Sequence, residues 1–399
     1  MSSIATVEIA AIGGGGDGIA EVEGRRIYAP FTLPGELAEV CIDGDRGAVQ
    51  RILRSSPERV EPFCRYFGTC GGCQFQHWTS DRYRAWKRQS VEQALRHAKV
   101  EAEVSPIVDA RGKGRRRVTL RSRKDGAGFN VSRTHRVLDI EACPILVPEL
   151  RPAFDIARAV HLVAGDCDVA VTASDTGLDV AVKAHRSASP PKLAPVASRF
   201  DLARLALNGE EVVTLRPPEL LIGKTRVRLP VRGFLQATAE AERIMAELAQ
   251  AACGKAKSIA DLFCGIGPFT LRMAEKAKVL AADIDQHAVA ALAAATRATQ
   301  GIKEIRAEQR NLFENPYTPA ELDGFDAIVF NPPRAGAEAQ AGKIAKCRVP
   351  TIVAVSCDPG TFARDAAMLV AGGYRLNQVT PIDQFAWSSH VEIVGVFER

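Results

Sequence analysis

Four short apolar runs in the C-terminal part of the chain, at 258–263, 279–284, 327–330 and 351–356, alternate with stretches of helical character such as 239–252 and 269–276. Short continuous apolar runs are strands covered on both faces, and strands alternating with helices feed a parallel sheet. The fold expected from 233 to 399 is therefore α/β, a doubly wound parallel sheet. Such a sheet binds its ligand in the crevice beyond the carboxyl ends of its strands.

Those ends carry the residues with chemistry. The first run leads into Asp261-Leu-Phe-Cys-Gly265-Ile-Gly267-Pro-Phe-Thr270. Two glycines let backbone amides approach a ligand, but a dinucleotide fingerprint wants a third where Thr270 stands. Asp283 ends the next strand, where a carboxylate can accept both hydroxyls of an adenosine ribose. These features favour S-adenosylmethionine over a nicotinamide dinucleotide; glycines needed only for helix–sheet packing stay open as the plainer reading. The run at 327–330 ends in Asn331-Pro332-Pro333-Arg334, a turn that can present a side chain and carbonyls to a base. The run at 351–356 ends in Ser356-Cys357-Asp358-Pro359, with a thiol where a nucleophile facing the crevice would stand, although most buried cysteines are inert. Glu392 lies inside an apolar strand, a costly place for a carboxylate unless it is paired or functional.

Residues 4–54 read differently. Five short strands, at 6–9, 19–22, 26–29, 37–42 and 48–53, are separated by glycine-rich turns, which points to a small closed barrel of OB type or a piece of a β-sandwich. Then come Cys64, Cys70 and Cys73, an amphipathic helical stretch at 80–97, and a basic segment. Between 111 and 136 there are ten Lys or Arg against the single acid Asp125, while the whole chain carries only +5. The remainder thus sums to −4, so the basic segment is a patch on a near-neutral body. Thr119, Leu120, Phe129 and Val131 read as strand positions with outward arginines between them, which fits either a polyanionic partner or a solvated face. A looser β-rich region runs to about 231, with Ser189-Pro190-Pro191 as a surface loop. The expected divisions are 1–58, 59–232 and 233–399.

No apolar run reaches the roughly 18 residues that cross a bilayer, and the first residues lack a basic segment followed by an apolar core. The expectation is a cytoplasmic, monomeric protein whose ten cysteines are thiols, some of them ligands or nucleophiles.

Together these segments resemble the RNA 5-methyluridine methyltransferases, within them the branch that modifies large-subunit (23S) ribosomal RNA. The run Gly24-Arg-Arg-Ile-Tyr-Ala-Pro30 and Leu33-Pro-Gly-Glu36 are similar to a TRAM domain. Arg59-Val-Glu-Pro-Phe-Cys64 and Cys70-Gly-Gly-Cys73-Gln-Phe-Gln-His77 are similar to the family's cluster segment. Phe234-Leu-Gln236, the Asp261 loop, 331–336, 356–359 and His390-Val-Glu392 are similar to its catalytic segments. The resemblance implies a class I (Rossmann-like) methyltransferase domain behind a TRAM barrel and a β-rich iron–sulfur domain. It implies a [4Fe–4S] cluster on Cys64, Cys70, Cys73 and Cys143; zinc could take the same thiolates, but its sites usually come as two C-x2-C pairs and only one is present.

It also implies an S-adenosylmethionine site lined by Gln236, Phe263, Asp283, Asn311 and Asn331 over a floor of Gly265 and Gly267. Cys357 would add to carbon 6 of uracil, and Glu392 would remove the proton from carbon 5. Arg115, Arg116, Arg117, Arg121, Arg123 and Lys124 would hold RNA phosphates around an unstacked uridine. Ribosomal RNA is the expected substrate and transfer RNA the alternative. An amino-group methyltransferase fits less well, because Arg334 rather than an aromatic residue follows Asn331-Pro-Pro. Three positions depart from the family's pattern: Asn331 where aspartate is usual, Thr238 where asparagine is usual, and Ala386-Trp387 where a Phe-Pro segment continues.

Overall fold

Pairing of the N-terminal strands closes into a ring. In the computed structural model, which describes residues 3–185 and 188–399, Ser3–Glu8 and Ala11–Ile12 are two pieces of one broken strand. The first piece pairs with Leu37–Asp43 and the second with Gly18–Val22. Gly18–Val22 continues to Arg25–Ala29, which meets Arg46–Arg54 in parallel, and Arg46–Arg54 returns to Leu37–Asp43. Of the two readings of this region, the structure takes the barrel. Val7, Ala20, Ile27, Ala38, Val40 and Ile42 fill it. Gly18 is required there, since a Cβ would fall 2.0 Å from the Thr32 hydroxyl.

The middle of the chain forms a seven-stranded sheet in which Arg117–Arg123 pairs with Gly126–Asn130 on one side and Cys167–Ser174 on the other. Val118, Leu120 and Ser122 face the core, so Arg117, Thr119, Arg121 and Arg123 alternate outward. Helices Ala153–Ala164 and Pro190–Arg199 cover this sheet. The Ser189-Pro-Pro stretch, expected as a loop, opens the second of these helices. Proline in a first helical turn gives up only an amide that has no helical partner.

The C-terminal sheet is numbered here in chain order: β1 Ser258–Leu262, β2 Lys278–Asp283, β3 Ile305–Gln309, β4 Ala327–Phe330, β5 Thr351–Ser356, β6 Arg375–Asp383 and β7 Glu392–Glu398. Its order is β3-β2-β1-β4-β5-β7-β6, parallel throughout except for β7. The apolar runs serve two faces at period two. Ala260, Leu262, Ile328, Phe330, Ile352 and Ala354 meet one layer of helices, and Ile259, Val329, Val353 and Val355 meet the other. The helix expected at 269–276 is a single turn, Thr270–Met273, because the chain must already enter β2 at Lys278.

The helix Ser80–His97 forms where the amphipathic pattern places it, but it packs on helix Pro359–Ala371 rather than on the central sheet. Val91 and Leu95 share a core with Ile328 and Phe362. Val108–Asp109 extends the C-terminal sheet alongside β6. The stretch 80–109 is thus built into the C-terminal unit although it precedes residue 233. No helix among the described residues is long and apolar enough to cross a membrane.

Candidate active site

The order of the sheet reverses between β1 and β4, and the crevice at such a switch point is where ligands of open α/β sheets bind. Phe263 and Gly265 follow β1, Asp283 ends β2, Asn331 follows β4 and Cys357 follows β5. Because β7 runs antiparallel, its first residue, Glu392, arrives at that same end. Ser356 pairs with Ile393, which places Cys357 and Glu392 one step beyond the ladder on neighbouring strands. Gln236 enters just ahead of helix Ala239–Cys253. Gln236, Phe263, Gly265, Asp283, Asn331, Cys357 and Glu392 line one cavity of about 460 Å³, with Phe234, Phe313 and Arg334 among the other walls.

The loop after β1 is bent and tied. Phe263 has φ 61° and Gly265 φ 54°; the left-handed region is strained for a bulky residue and persists only where surroundings impose it. The Gly265 amide donates to Asp283 Oδ2 and the Asp285 amide to Asp283 Oδ1, both at 2.8 Å. Each of these carboxylate oxygens keeps a further lone pair for a ribose hydroxyl. The Phe263 ring lies 5.5 Å from that of Phe313. Thr270, standing where a dinucleotide site has glycine, donates its hydroxyl to the buried Asp261, whose carboxyl burial pushes up to about 7.

Glu392 is 3 % exposed. Its Oε1 accepts from Gln384 Nε2 at 2.7 Å, and its Oε2 is buried without a partner. Burial pushes this carboxyl up to about 7, with the Gln384 bond opposing. The half-buried Cys357 thiol is pushed up to about 11, first by burial and then by the Glu392 and Asp358 charges, with Arg334 opposing. A buried carboxylate raised to about 7 and a thiol lining the same ligand-sized cavity have the chemistry of a base and a nucleophile.

Other expected residues lie elsewhere. Gly267 does not line the cavity: its φ is 88° and a Cβ would stand 2.6 Å from Leu292 Cδ1, so it serves helix–sheet packing. Asn311 stands one step back, its Oδ1 accepting from the Phe313 amide at 3.1 Å and so setting that ring at the cavity. In the basic segment, Arg116 is buried, paired with Glu242, and its Nε donates to the Gln236 carbonyl at 3.1 Å. Arg117 donates to the Gly233 carbonyl (2.8 Å), and Arg123 to Asp168 (2.9 Å). Arg115 is half-buried over the Phe385 ring. Arg121 and Lys124 are the two of the six that are exposed. A guanidinium near a junction between units finds carbonyls and carboxylates there, and the charge count along the sequence cannot separate such bolts from a binding face.

Two of the departures find structural roles. Thr238 caps helix Ala239–Cys253, its hydroxyl accepting from the Ala241 amide at 3.0 Å, the job asparagine does equally well. Trp387 stacks on Tyr83, and its carbonyl accepts from the Gln74 and Phe75 amides at 2.7 and 3.2 Å. Sequence reasoning passed over Gln384 and Phe313. The signal for Gln384 was a polar pair, Asp383-Gln384, inside an apolar run; for Phe313 it was an aromatic residue just beyond a strand end.

Cys64, Cys70, Cys73 and Cys143 line a second cavity of about 410 Å³ together with Tyr66, Phe67, Phe129 and Arg115. Three of these thiols come from one loop and Cys143 from beyond the basic strands, so the fold brings distant cysteines to one place. Among the described residues no group of three or more His, Cys, Asp or Glu is set closely enough to hold a metal ion. The thiols share a cavity without forming a finished ligand set.

A family profile described as tRNA (Uracil-5-)-methyltransferase matches residues 223–399. Over 409 residues the chain is 44 % identical to an uncharacterized RNA methyltransferase of Brucella suis biovar 1, covering 100 % of this chain and 99 % of that protein. It is 30 % identical to a 23S rRNA (uracil(1939)-C(5))-methyltransferase of Yersinia enterocolitica, covering 98 % and 94 %. Its fold is similar to that of the Pyrococcus abyssi tRNA (uracil-54, C5)-methyltransferase crystallised with S-adenosyl-L-homocysteine, at a TM-score of 0.78 and 22 % identity over 98 % of this chain and 99 % of the other. With relatives matched along nearly their whole length, the chain belongs to the S-adenosylmethionine-dependent RNA (uracil-5-)-methyltransferases.

Proposed function

We propose that this enzyme methylates carbon 5 of a uridine in 23S ribosomal RNA through a transient bond between Cys357 and carbon 6 of the base. The observation that carries the proposal is the single cavity lined by Cys357, by Asp283 and by Glu392, whose Oε2 is buried without a partner. S-adenosylmethionine supplies an electrophilic methyl group when bound, and Gln236, Phe263, Gly265, Asp283 and Asn331 would hold it, with Asn311 supporting Phe313 behind. Carbon 5 of uracil is too weak a nucleophile to take that group unaided. Addition of the Cys357 thiolate to carbon 6 moves electron density onto carbon 5, which would form the new carbon–carbon bond to the methyl group as that group's bond to the sulfonium sulfur breaks and the donor leaves as a neutral thioether. Glu392 Oε2 then takes the proton left on carbon 5, the ring double bond re-forms, and the carbon–sulfur bond breaks to return the thiolate. Asn331 offers both a donor and an acceptor to the uracil imide edge.

Ribosomal RNA is supported by the relative matched over 94 % of its length that is named for 23S rRNA; transfer RNA remains the second reading, since the family profile carries that name. Of the six basic residues proposed to meet phosphates, Arg121 and Lys124 are exposed, which supports that role for these two. Cys64, Cys70, Cys73 and Cys143 would hold a [4Fe–4S] cluster, a proposal that rests on four thiols from two segments lining one cavity. The cluster would fasten the loop 64–73 to the central sheet, because methyl transfer moves no electrons. The same reading takes the protein as a cytoplasmic monomer in three parts: an RNA-gripping TRAM barrel at 1–58, an iron–sulfur unit drawn from 59–232 without the stretch 80–109, and the methyltransferase at 233–399 together with that stretch.

The test is Cys357→Ala with RNA and radiolabelled methyl donor. Methylation should vanish while donor binding stays; residual turnover would overturn the nucleophile. Glu392→Gln should accumulate a denaturation-resistant RNA–protein adduct, and normal product release would overturn the base. Mapping 5-methyluridine in both RNA classes from cells lacking the protein decides the substrate.

A further inference from the structure

We propose that Gln384 is a positioning residue of this site: its carboxamide holds Glu392 so that Oε2 alone faces the reacting carbon, and ties that carboxylate to Gln236 on the methyl-donor side. The proposal rests on the reading of Glu392 as the base. Gln384 is 1 % exposed, and every polar atom of its side chain is used. Nε2 donates to Glu392 Oε1 and to Gln236 Oε1, each at 2.7 Å, and Oε1 accepts from the Ala237 amide at 2.9 Å. The orientation of the amide is fixed by its partners. A carboxylate only accepts and a backbone amide only donates, so a flipped Gln384 would lose both bonds.

Two consequences follow from this geometry. Gln384 occupies one carboxylate oxygen of Glu392, so a single oxygen is left without a partner for the proton of the substrate. Gln236 spends its oxygen on Gln384, so its NH2 is the end left for a ligand. Gln384 is itself held from outside the site. Its neighbour Asp383 is buried against Lys87 Nζ at 2.6 Å and the Tyr83 hydroxyl at 3.3 Å, and the Trp387 amide donates to that hydroxyl at 2.8 Å. The helix Ser80–His97 therefore clamps the segment that carries the amide.

The titratable groups sharing the cavity with Glu392 are Cys357 after β5, Arg334 after β4, Cys264 after β1, Asp283 ending β2 with Asp285 beyond it, and Glu242 on the helix Ala239–Cys253. Glu242 is paired with Arg116 and Arg272, Arg334 faces Asp358, and Asp283 is bonded to backbone amides. The Gln384 amide is thus the neutral donor that favours the ionised form of the base. Losing it makes the carboxylate harder to form.

The experiment follows resolution of a preformed adduct against pH in Gln384→Met and in Gln384→Leu, with donor affinity and melting temperature measured alongside. The midpoint of the acid limb should move up by about one to two pH units, the equivalent of one charge-assisted hydrogen bond. A merely structural residue would lower the rate at every pH and leave the midpoint in place, which would overturn the proposal. Glu392→Gln is run in parallel. If it releases product normally, the base assignment fails; if it stalls the adduct while both Gln384 variants keep the wild-type midpoint, the positioning role alone fails. Should Gln384→Met not fold, Gln384→Leu carries the same test, because it too removes the donor to Oε1 without adding a charge.

Discussion

Replacing Glu392 by glutamine should stabilise the folded chain at alkaline pH even as it stops product release. Burial holds this carboxyl at about 7 in the folded protein, against 4.5 when it is solvated. Between those values the folded chain keeps a proton that the unfolded chain has already lost, so its stability falls as pH rises through the window. The slope is about 1.4 kcal/mol per pH unit, and across the whole window the loss comes to about 3 kcal/mol. Glutamine has no charge to bury. Its Oε1 can still accept from Gln384, and its NH2 replaces an oxygen that had no partner, at a cost of about 1–3 kcal/mol that does not vary with pH. Urea unfolding of the two proteins at intervals from pH 4.5 to 8 should show their difference growing in favour of the variant by about 3 kcal/mol, whatever its starting value. The growth should end near pH 7. A difference that stays flat over this range would refute the reasoning, since the carboxyl would then be ionising at an ordinary value despite its burial.

The basic segment should divide in two. Arg116→Met leaves Glu242 with Arg272 alone and should cost about 3 kcal/mol of stability with no change in the salt dependence of RNA binding. Arg121→Ala and Lys124→Ala should leave the melting temperature alone, and each should lower the slope of log affinity against log salt by about one. Gly267→Ala drives a Cβ to within 2.6 Å of Leu292. It should lose about 1–3 kcal/mol in thermal unfolding while donor affinity holds. Cys70→Ser, purified without oxygen, should lose iron and visible absorbance relative to the wild type; stoichiometric zinc in the wild type would overturn the cluster.

What could be seen in the sequence, and what could not, follows from the range of the interactions involved. The strand at 327–330 was legible because both its faces are covered, and a doubly covered strand must be apolar throughout. Cys357 and Asn331 were legible because strand ends in such a sheet all point at one crevice. Gly267 could not be told from Gly265: both have left-handed φ, and only Leu292 against one and open space against the other separates packing from a ligand floor. Arg116 looked like its neighbours in the sequence, yet its partner Glu242 lies 126 residues away. Gln384 escaped for the same reason. Its partners Gln236 and Glu392 are 148 and 8 residues distant, and a glutamine just past an apolar strand announces a buried bond without naming the group that receives it.

The placement of Gln236 shows why the site needs more than its sheet. The sheet by itself fixes Phe263, Asp283, Asn331, Cys357 and Glu392, all at strand ends. Gln236 lies on no strand of it. The segment 234–236 forms a wall common to the catalytic cavity and the thiol-lined cavity. It is held from the central unit, where the Arg116 amide donates to the Ala237 carbonyl at 2.9 Å and the Arg116 guanidinium to that of Gln236. On its other side Gln384 grips it through an amide clamped by the helix Ser80–His97. The loop Cys70–Cys73 leads directly into Gln74 and Phe75, whose amides hold the Trp387 carbonyl three residues beyond Gln384. Loosening the thiol loop should therefore act on the same short segment that carries Gln384, without any electron passing between them. The Glu392 carboxylate is thus held by contacts from residues that do not themselves line the catalytic cavity.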